Sequence, residues 1–423
     1  MKQPARQKGI ALLMLLIIIV LAIAAYMMSG LSPTEIKVDR EVKTLQALKK
    51  AKEALIAYAV NYPEGHARGP GFLPCPDTNN DGSEEGGCNG AVDTVGRLPW
   101  KRLGVGDIRD SSNERLWYAV SVNYDFTNNP ERPSPPYLPN TPKAINTTSI
   151  GNITVRDRNN NIIYDGTTIH AAVAVIIAPG GILTRDDGVT QVRGTDAEKK
   201  DPVNYLDIDT ASGEDNATFQ QGSLGGATKD GFIDGEIINA AGDVIVNDQI
   251  MVITYSDIME QVHKRVSREI SKAINNYVTV CGNYPNASIF DPTDSKVLGG
   301  YTGDAAAVPP DNDTKGHIPV DSANWVGCGN SLPSWVGGED WHKVTYYEFT
   351  DPCTPGADCL TVDGVNDKKA LIIFAGRETG TQSRGDVGPP ASDLLDYFEV
   401  ENSNGDLVYD STEIEDYVHV IAP

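Results

Sequence analysis

Asp248-Gln249-Ile250-Met251-Val252-Ile253 returns near the end of the chain as Asp416-Tyr417-Val418-His419-Val420-Ile421. Each is an acidic residue followed by an apolar run rich in β-branched side chains, the composition of a strand. Working back from the two copies, the same landmarks recur in the same order. Asn204-Tyr205-Leu206-Asp207 matches Asp396-Tyr397-Phe398-Glu399. The apolar run from Ala171 to Ala178 parallels the run from Ala370 to Ala375. Continuous apolar runs of that length predict central strands buried on both faces. The stretch from Arg115 to Val122 has its counterpart in Trp341 to Tyr347, and Leu98-Pro99-Trp100 is echoed by Leu332-Pro333-Ser334-Trp335.

Each series starts from an amphipathic helix. Val42, Leu45, Leu48, Ala51, Leu55, Tyr58 and Tyr62 recur at three- and four-residue spacing, as do Ile258, Val262, Val266, Ile270, Ile274, Tyr277 and Cys281. That spacing places one apolar stripe on each helix. The helices close on Asn61-Tyr62-Pro63 and Asn283-Tyr284-Pro285. The expectation is an α+β chain of two tandem units, residues 35–255 and 256–423, each a long helix packed on an antiparallel sheet. The first unit carries extra material around 127–168 and 185–247, and the prolines from Pro130 to Pro142 mark the start of the first insertion as a loop.

Ahead of both units, Ile10 to Met28 holds no charged residue, and Lys2, Arg6 and Lys8 precede it. Such a run predicts a helix that crosses a bilayer with its basic end on the cytoplasmic side. Ala22-Ile23-Ala24 also offers the small-x-small pattern of a secretory signal. The junction Gln7-Lys8-Gly9-Ile10, a short basic leader ending in Gly before the apolar run, resembles a type IV prepilin leader. The resemblance implies a leader of 1–9, cleavage between Gly9 and Ile10, and a retained transmembrane or filament-core helix over 10–31. Family members usually carry Glu at the fifth mature position, where this chain has Met14; minor pilins and the tip pseudopilin of type II secretion systems also lack it.

The formal net charge is -23, from 35 basic and 58 acidic residues. A surface so acidic repels phosphate backbones, which argues against nucleic-acid binding, and suits divalent cations. Asp77-Thr78-Asn79-Asn80-Asp81-Gly82 sets three oxygen side chains on alternate residues before a Gly, the opening half of a calcium loop. Glu84 could complete the shell, while Cys88 stands where an EF-hand needs Glu. The alternative is an acidic turn held by a disulfide. Sequence proximity pairs Cys75 with Cys88 and Cys353 with Cys359, leaving Cys281 with Cys328. The six histidines are scattered and form no hydrolase or metalloprotease motif, so no catalytic residue is expected.

Together these features predict a minor, tip or initiating pilin-like subunit of a type IV pilus or a type II secretion pseudopilus. Its partners would be other pilin-like subunits, met through the N-terminal helix, and the inner-membrane assembly machinery. Calcium is the one cofactor suggested. The expected location is the inner membrane, in a single pass with the C-terminal part periplasmic, or a periplasmic or extracellular filament. The competing expectation is a membrane-anchored adhesin or binding module that never enters a filament.

Overall fold

The computed structural model describes residues 8–29, 33–65, 69–85, 95–121, 151–168, 170–219, 231–287, 314–319, 332–338, 341–376, 394–404, 406–412 and 416–423. Helix α1 spans Lys8–Ser29, α2 Pro33–Gly65 and α3 Tyr255–Cys281. A short fourth helix covers Ser334–Gly338. The strands before α3 are β1 Val95–Arg97, β2 Trp117–Val120, β3 Thr154–Arg156, β4 Ile162–Tyr164, β5 Ala174–Ala178, β6 Ile208–Asp209, β7 Glu214–Asp215, β8 Gly231–Ile233, β9 Ile237–Ile238, β10 Val244–Val246 and β11 Gln249–Ile253. After it come β12 Lys315–His317, β13 Thr345–Phe349, β14 Leu360–Val362, β15 Val365–Lys368, β16 Ala370–Phe374, β17 Val408–Tyr409 and β18 Tyr417–Ala422.

Two four-stranded antiparallel sheets dominate, ordered β1-β2-β5-β11 and β12-β13-β16-β18. In both, the apolar run picked out by its composition becomes an inner strand: every residue of β5 and of β16 is buried. A three-stranded sheet accompanies each, β4-β3-β8 and β15-β14-β17, and in each the pairing to the late strand is parallel. Helix α2 lies against β5 and β11 and α3 against β18, while α2 and α3 also pack on each other. Leu48, Ala51, Leu55 and Ala59 of α2 and Ile258, Val262, Val266, Ile270 and Ile274 of α3 are buried in one core with residues of both large sheets.

The ends of α3 follow from its sequence. Thr254 accepts a hydrogen bond from the Asp257 N–H while the Asp257 carboxylate accepts from the Thr254 N–H, a capping box that satisfies two otherwise orphan donors. Gly282 then takes φ 79, the left-handed conformation that ends a helix and that glycine adopts without a Cβ clash. The predicted α2 stripe does not hold at its start, because Val42 and Leu45 are exposed. Burial begins only at Thr44, Ala47 and Leu48.

Two expectations are corrected here. The fold class as predicted, an N-terminal transmembrane helix followed by two tandem pilin-like units, does not describe this structure. The chain is built mostly from six small sheets and four α-helices among the described residues. None of these helices is long and apolar enough to cross a membrane, so the single-pass inner-membrane location loses its support.

Candidate functional site

The acidic loop predicted from Asp77 to Gly82 is a closed turn. Asp77 Oδ1 accepts from the Asp81 N–H at 3.2 Å and Oδ2 from the Gly82 N–H at 2.6 Å. Asn79 Oδ1 also accepts from Asp81, at 2.9 Å, and Asp81 Oδ1 accepts from Ser83 at 2.7 Å. Gly82 permits the bend: its φ is 89, and a Cβ there would stand 2.6 Å from the Trp100 indole. Arg115 clamps the outside of the turn by donating to Asn80 O at 3.0 Å and Oδ1 at 2.8 Å. Burial pushes the Asp77 carboxyl up, against the pull of the N–H groups of Gly82, Asn80 and Asp81. The Ser83 N–H holds the exposed Asp81 carboxyl below its usual value.

Asp77, Asn79 and Asp81 therefore share one loop, but Glu84 turns elsewhere, pairing with Arg102 Nε at 2.6 Å. Among the described residues no group of three or more His, Cys, Asp or Glu is placed to hold a metal ion. Of the disulfides, Cys353–Cys359 is present with the pairing expected. Cys75 and Cys281 are also disulfide-bonded, while their expected partners Cys88 and Cys328 lie outside the described residues. The predicted cleavage residues Gly9 and Ile10 fall within α1, and their side chains lie outside the described set.

A second polar site was not read from the sequence, and it occurs twice. Asp248, just before β11, accepts at Oδ2 from the Asp207 N–H and from Asn216 Nδ2, both at 2.8 Å. Asn216 is in turn paired with the backbone of Ile233, donating to its carbonyl at 2.9 Å and accepting from its N–H at 2.8 Å. Asp416, just before β18, repeats the arrangement. Its Oδ2 accepts from the Glu399 N–H at 3.0 Å and from Asn402 Nδ2 at 3.1 Å. Asn402 pairs with the backbone of Asp410, at 3.0 Å to its carbonyl and 2.9 Å from its N–H. In both halves a buried Asp-Asn clasp thus ties the edge strand of the large sheet to the neighbouring segment. The matches Asp248/Asp416 and Asp207/Glu399 were visible in sequence. Asn216 and Asn402 were not, since neither lies in a matched stretch.

The first clasp is embedded in more charge than the second. Asp207 accepts from the Asn247 N–H at 2.7 Å and from Gln191 Nε2 at 2.8 Å. Burial raises Asp207 to about 7, and it raises Asp248 well above the ordinary range with the Asp207 carboxylate adding to the effect. Nearby, Arg185 bonds Asp215 at 2.6 Å with both side chains nearly covered. The Arg97 guanidinium is sandwiched 4.1 Å from the Trp117 ring and 3.8 Å from the Tyr205 ring. In the second half, burial raises Asp416 to about 6.

Two carboxyls that ionise reluctantly can share a proton. Of the groups facing this pair, Arg185 is held by Asp187 and Asp215 and Arg193 by Glu114, while the hydrogen bonds of Asp207 and Asp248 tie together the segments that flank β11. His263, T-shaped against Trp341 at 6.1 Å, is held neutral by burial, which lowers it to about 3. Compared with known proteins, the chain matches no family model, no curated protein and no solved structure.

Proposed function

We propose that the chain is a minor subunit of a type IV pilus or type II secretion pseudopilus, joining other pilin-like subunits through α1 at the tip or in the initiating complex. The observation that supports this reading is the exposure of α1. Leu13, Met14, Leu15, Leu16, Ile17, Ile18, Ile19, Val20, Leu21 and Ile23 are all exposed, at 48 to 63 %. A helix apolar on every side is stable when something covers it, and among the described residues this chain supplies no cover. Helices of the same kind from neighbouring subunits would. The leader-like junction at Gly9 and Ile10 fits the same reading, as does Met14. A subunit without a carboxylate there cannot pair it with the N-terminal ammonium of a subunit already in place, though its own ammonium remains available to the next arrival. That asymmetry favours a terminal position and few copies.

Quantitative mass spectrometry of sheared filaments is the test. The expected result is a small number of copies per filament, with fewer or no filaments in a deletion strain. A copy number matching the major subunit, or absence from filaments that assemble normally without the gene, would overturn the proposal.

A further inference from the structure

The outer edges of the two large sheets are finished in different ways. β1 is closed by the main chain: the Asp77 N–H donates to Arg97 O at 2.9 Å and the Arg97 N–H to Asp77 O. β11 is capped by side chains. The Ile250 N–H donates to Asp234 Oδ1 at 2.9 Å, and Lys52 Nζ donates to Val252 O at 3.0 Å. The equivalent edge of the second sheet is β18, where Val418 and Val420 stand in the places of Ile250 and Val252 if Asp416 is laid on Asp248. No corresponding cap is found among the described residues. The place of Asp234, one residue beyond the segment held by the Asn clasp, is taken by Ser411. Its hydroxyl turns away to Asp363 Oδ2 at 2.7 Å and its N–H to Asp363 Oδ1 at 2.8 Å. Every residue of β18 from Tyr417 to Val420 is half-buried, so the strand is reachable.

An edge of β-branched residues that no described residue caps is a template for another strand. We propose that β18 pairs antiparallel with β18 of a second copy of this chain, about a two-fold axis through His419. The strand complements itself. Such a register sets Val418 against Val420 and His419 against His419, within the part of β18 that pairs regularly with β16 before the register shifts after Val420. It opposes no like charges, since burial lowers His419 and favours its neutral form. Val418 and Val420, whose N–H and C=O groups face outward, then form two hydrogen-bonded pairs.

The charge of the surroundings also allows a copy to approach. The whole chain is strongly acidic, but the α3 residues beside this edge are of both signs. Glu260 and Lys264 are exposed at 67 and 47 % and lie 2.8 Å apart, with Lys264 next to Tyr417. A two-fold axis can therefore set Lys264 of one copy toward Glu260 of the other. The proposal concerns the C-terminal edge and stands apart from the filament reading, which depends on α1.

The test uses the full chain in a mild detergent that covers α1. Position 419 would be a non-hydrogen-bonded pair, with Cα atoms about 4.5 Å apart, within reach of a disulfide. His419→Cys is expected to give a covalent dimer on mild oxidation, with peptide mapping placing the bond between the two copies of position 419. Wild type is expected to sediment at twice the chain mass. Val420→Pro removes an outward N–H while leaving the ladder to β16 intact, so it should halve that mass with unchanged circular dichroism. Three results would each overturn the proposal: a wild-type monomer, an oxidised His419→Cys chain that stays uncrosslinked, or a dimer that Val420→Pro leaves whole. Pairing of β18 with some other protein but never with itself would do so too.

Discussion

Asp248→Asn separates the charge of the first clasp from its shape. Asp248 is fully buried and uses Oδ2 for both of its hydrogen bonds, while Oδ1 meets no partner. An Asn with its carbonyl oxygen at the Oδ2 position keeps both bonds and removes the charge, and it places its NH2 group where Oδ1 meets no partner, a cost that does not vary with pH. Asp207 has its pKa raised by burial from 3.8 to about 7, and Asp248 is shifted the same way. A carboxyl raised in the folded state binds more protons folded than unfolded between those values. Its contribution to stability is therefore complete below pH 4 and is lost as the pH rises through about 7. The groups facing the pair are Arg185, Arg193, Gln191, Asn216 and the Asn247 N–H. These temper the repulsion without abolishing it. Asp248→Asn removes the contribution of Asp248 itself, which is worth about 1.4 kcal/mol for each pH unit over which the folded wild type holds a proton that the unfolded chain has lost. Urea unfolding of both proteins from pH 4 to pH 8 measures this. Between pH 4 and pH 8 the difference should move steadily in favour of the variant. Carboxylates shifted downward, such as Asp157 beside Asn161, act with the opposite sign but equally in both proteins, so they cancel in the difference. A difference that does not move in that direction with pH refutes the argument that charge strains this site.

Asn402→Ala removes three hydrogen bonds from a residue 1 % exposed and leaves Asp410 and Asp416 short of partners. The expected loss is roughly 2–4 kcal/mol in urea unfolding, and a loss below about 1 kcal/mol would mean that the clasp does not hold the second sheet. Calcium is expected to leave the melting temperature unchanged, because Asp77 is already engaged by Asp81 and Gly82, and Glu84 by Arg102. A rise on adding calcium that Asp81→Ala removes would restore the ion to the loop.

The inner strands were legible because burial on both faces leaves an unbroken apolar run, and β5 and β16 came out as read. The α3 stripe was legible for a related reason: one helix face packs on a sheet, so its core residues repeat every turn. The parallel pairings β3 with β8 and β14 with β17 join strands far apart in sequence. Short strands with mixed burial carry too little periodicity to announce them. The start of α2 misled because a stripe of apolar residues records what a helix can bury, and Val42 and Leu45 stay exposed outside the core. At the acidic loop the spacing of Asp77, Asn79 and Asp81 was open to two readings, a calcium loop or an acidic turn, and these residues do share one turn. Where each oxygen points was beyond the sequence, since Arg102, which takes Glu84, comes from a segment the motif does not include.

The duplication separates two kinds of residue. Asp248 with Asn216 and Asp416 with Asn402 make the same bonds in both halves, although the stretches around them differ in length and composition. What recurs despite that divergence is what each sheet needs in order to anchor its last strand. What does not recur is informative in the other direction. The first half spends Asp234 and Lys52 on the β11 edge, and Lys52 continues to Asp257 at 2.7 Å, so that edge is tied to the start of α3. In the second half Ser411 turns inward to Asp363 instead. Among the described residues the β11 edge is capped and the β18 edge is not. The neighbour that β11 finds in Asp234 and Lys52 is what the proposed pairing of two copies would give β18.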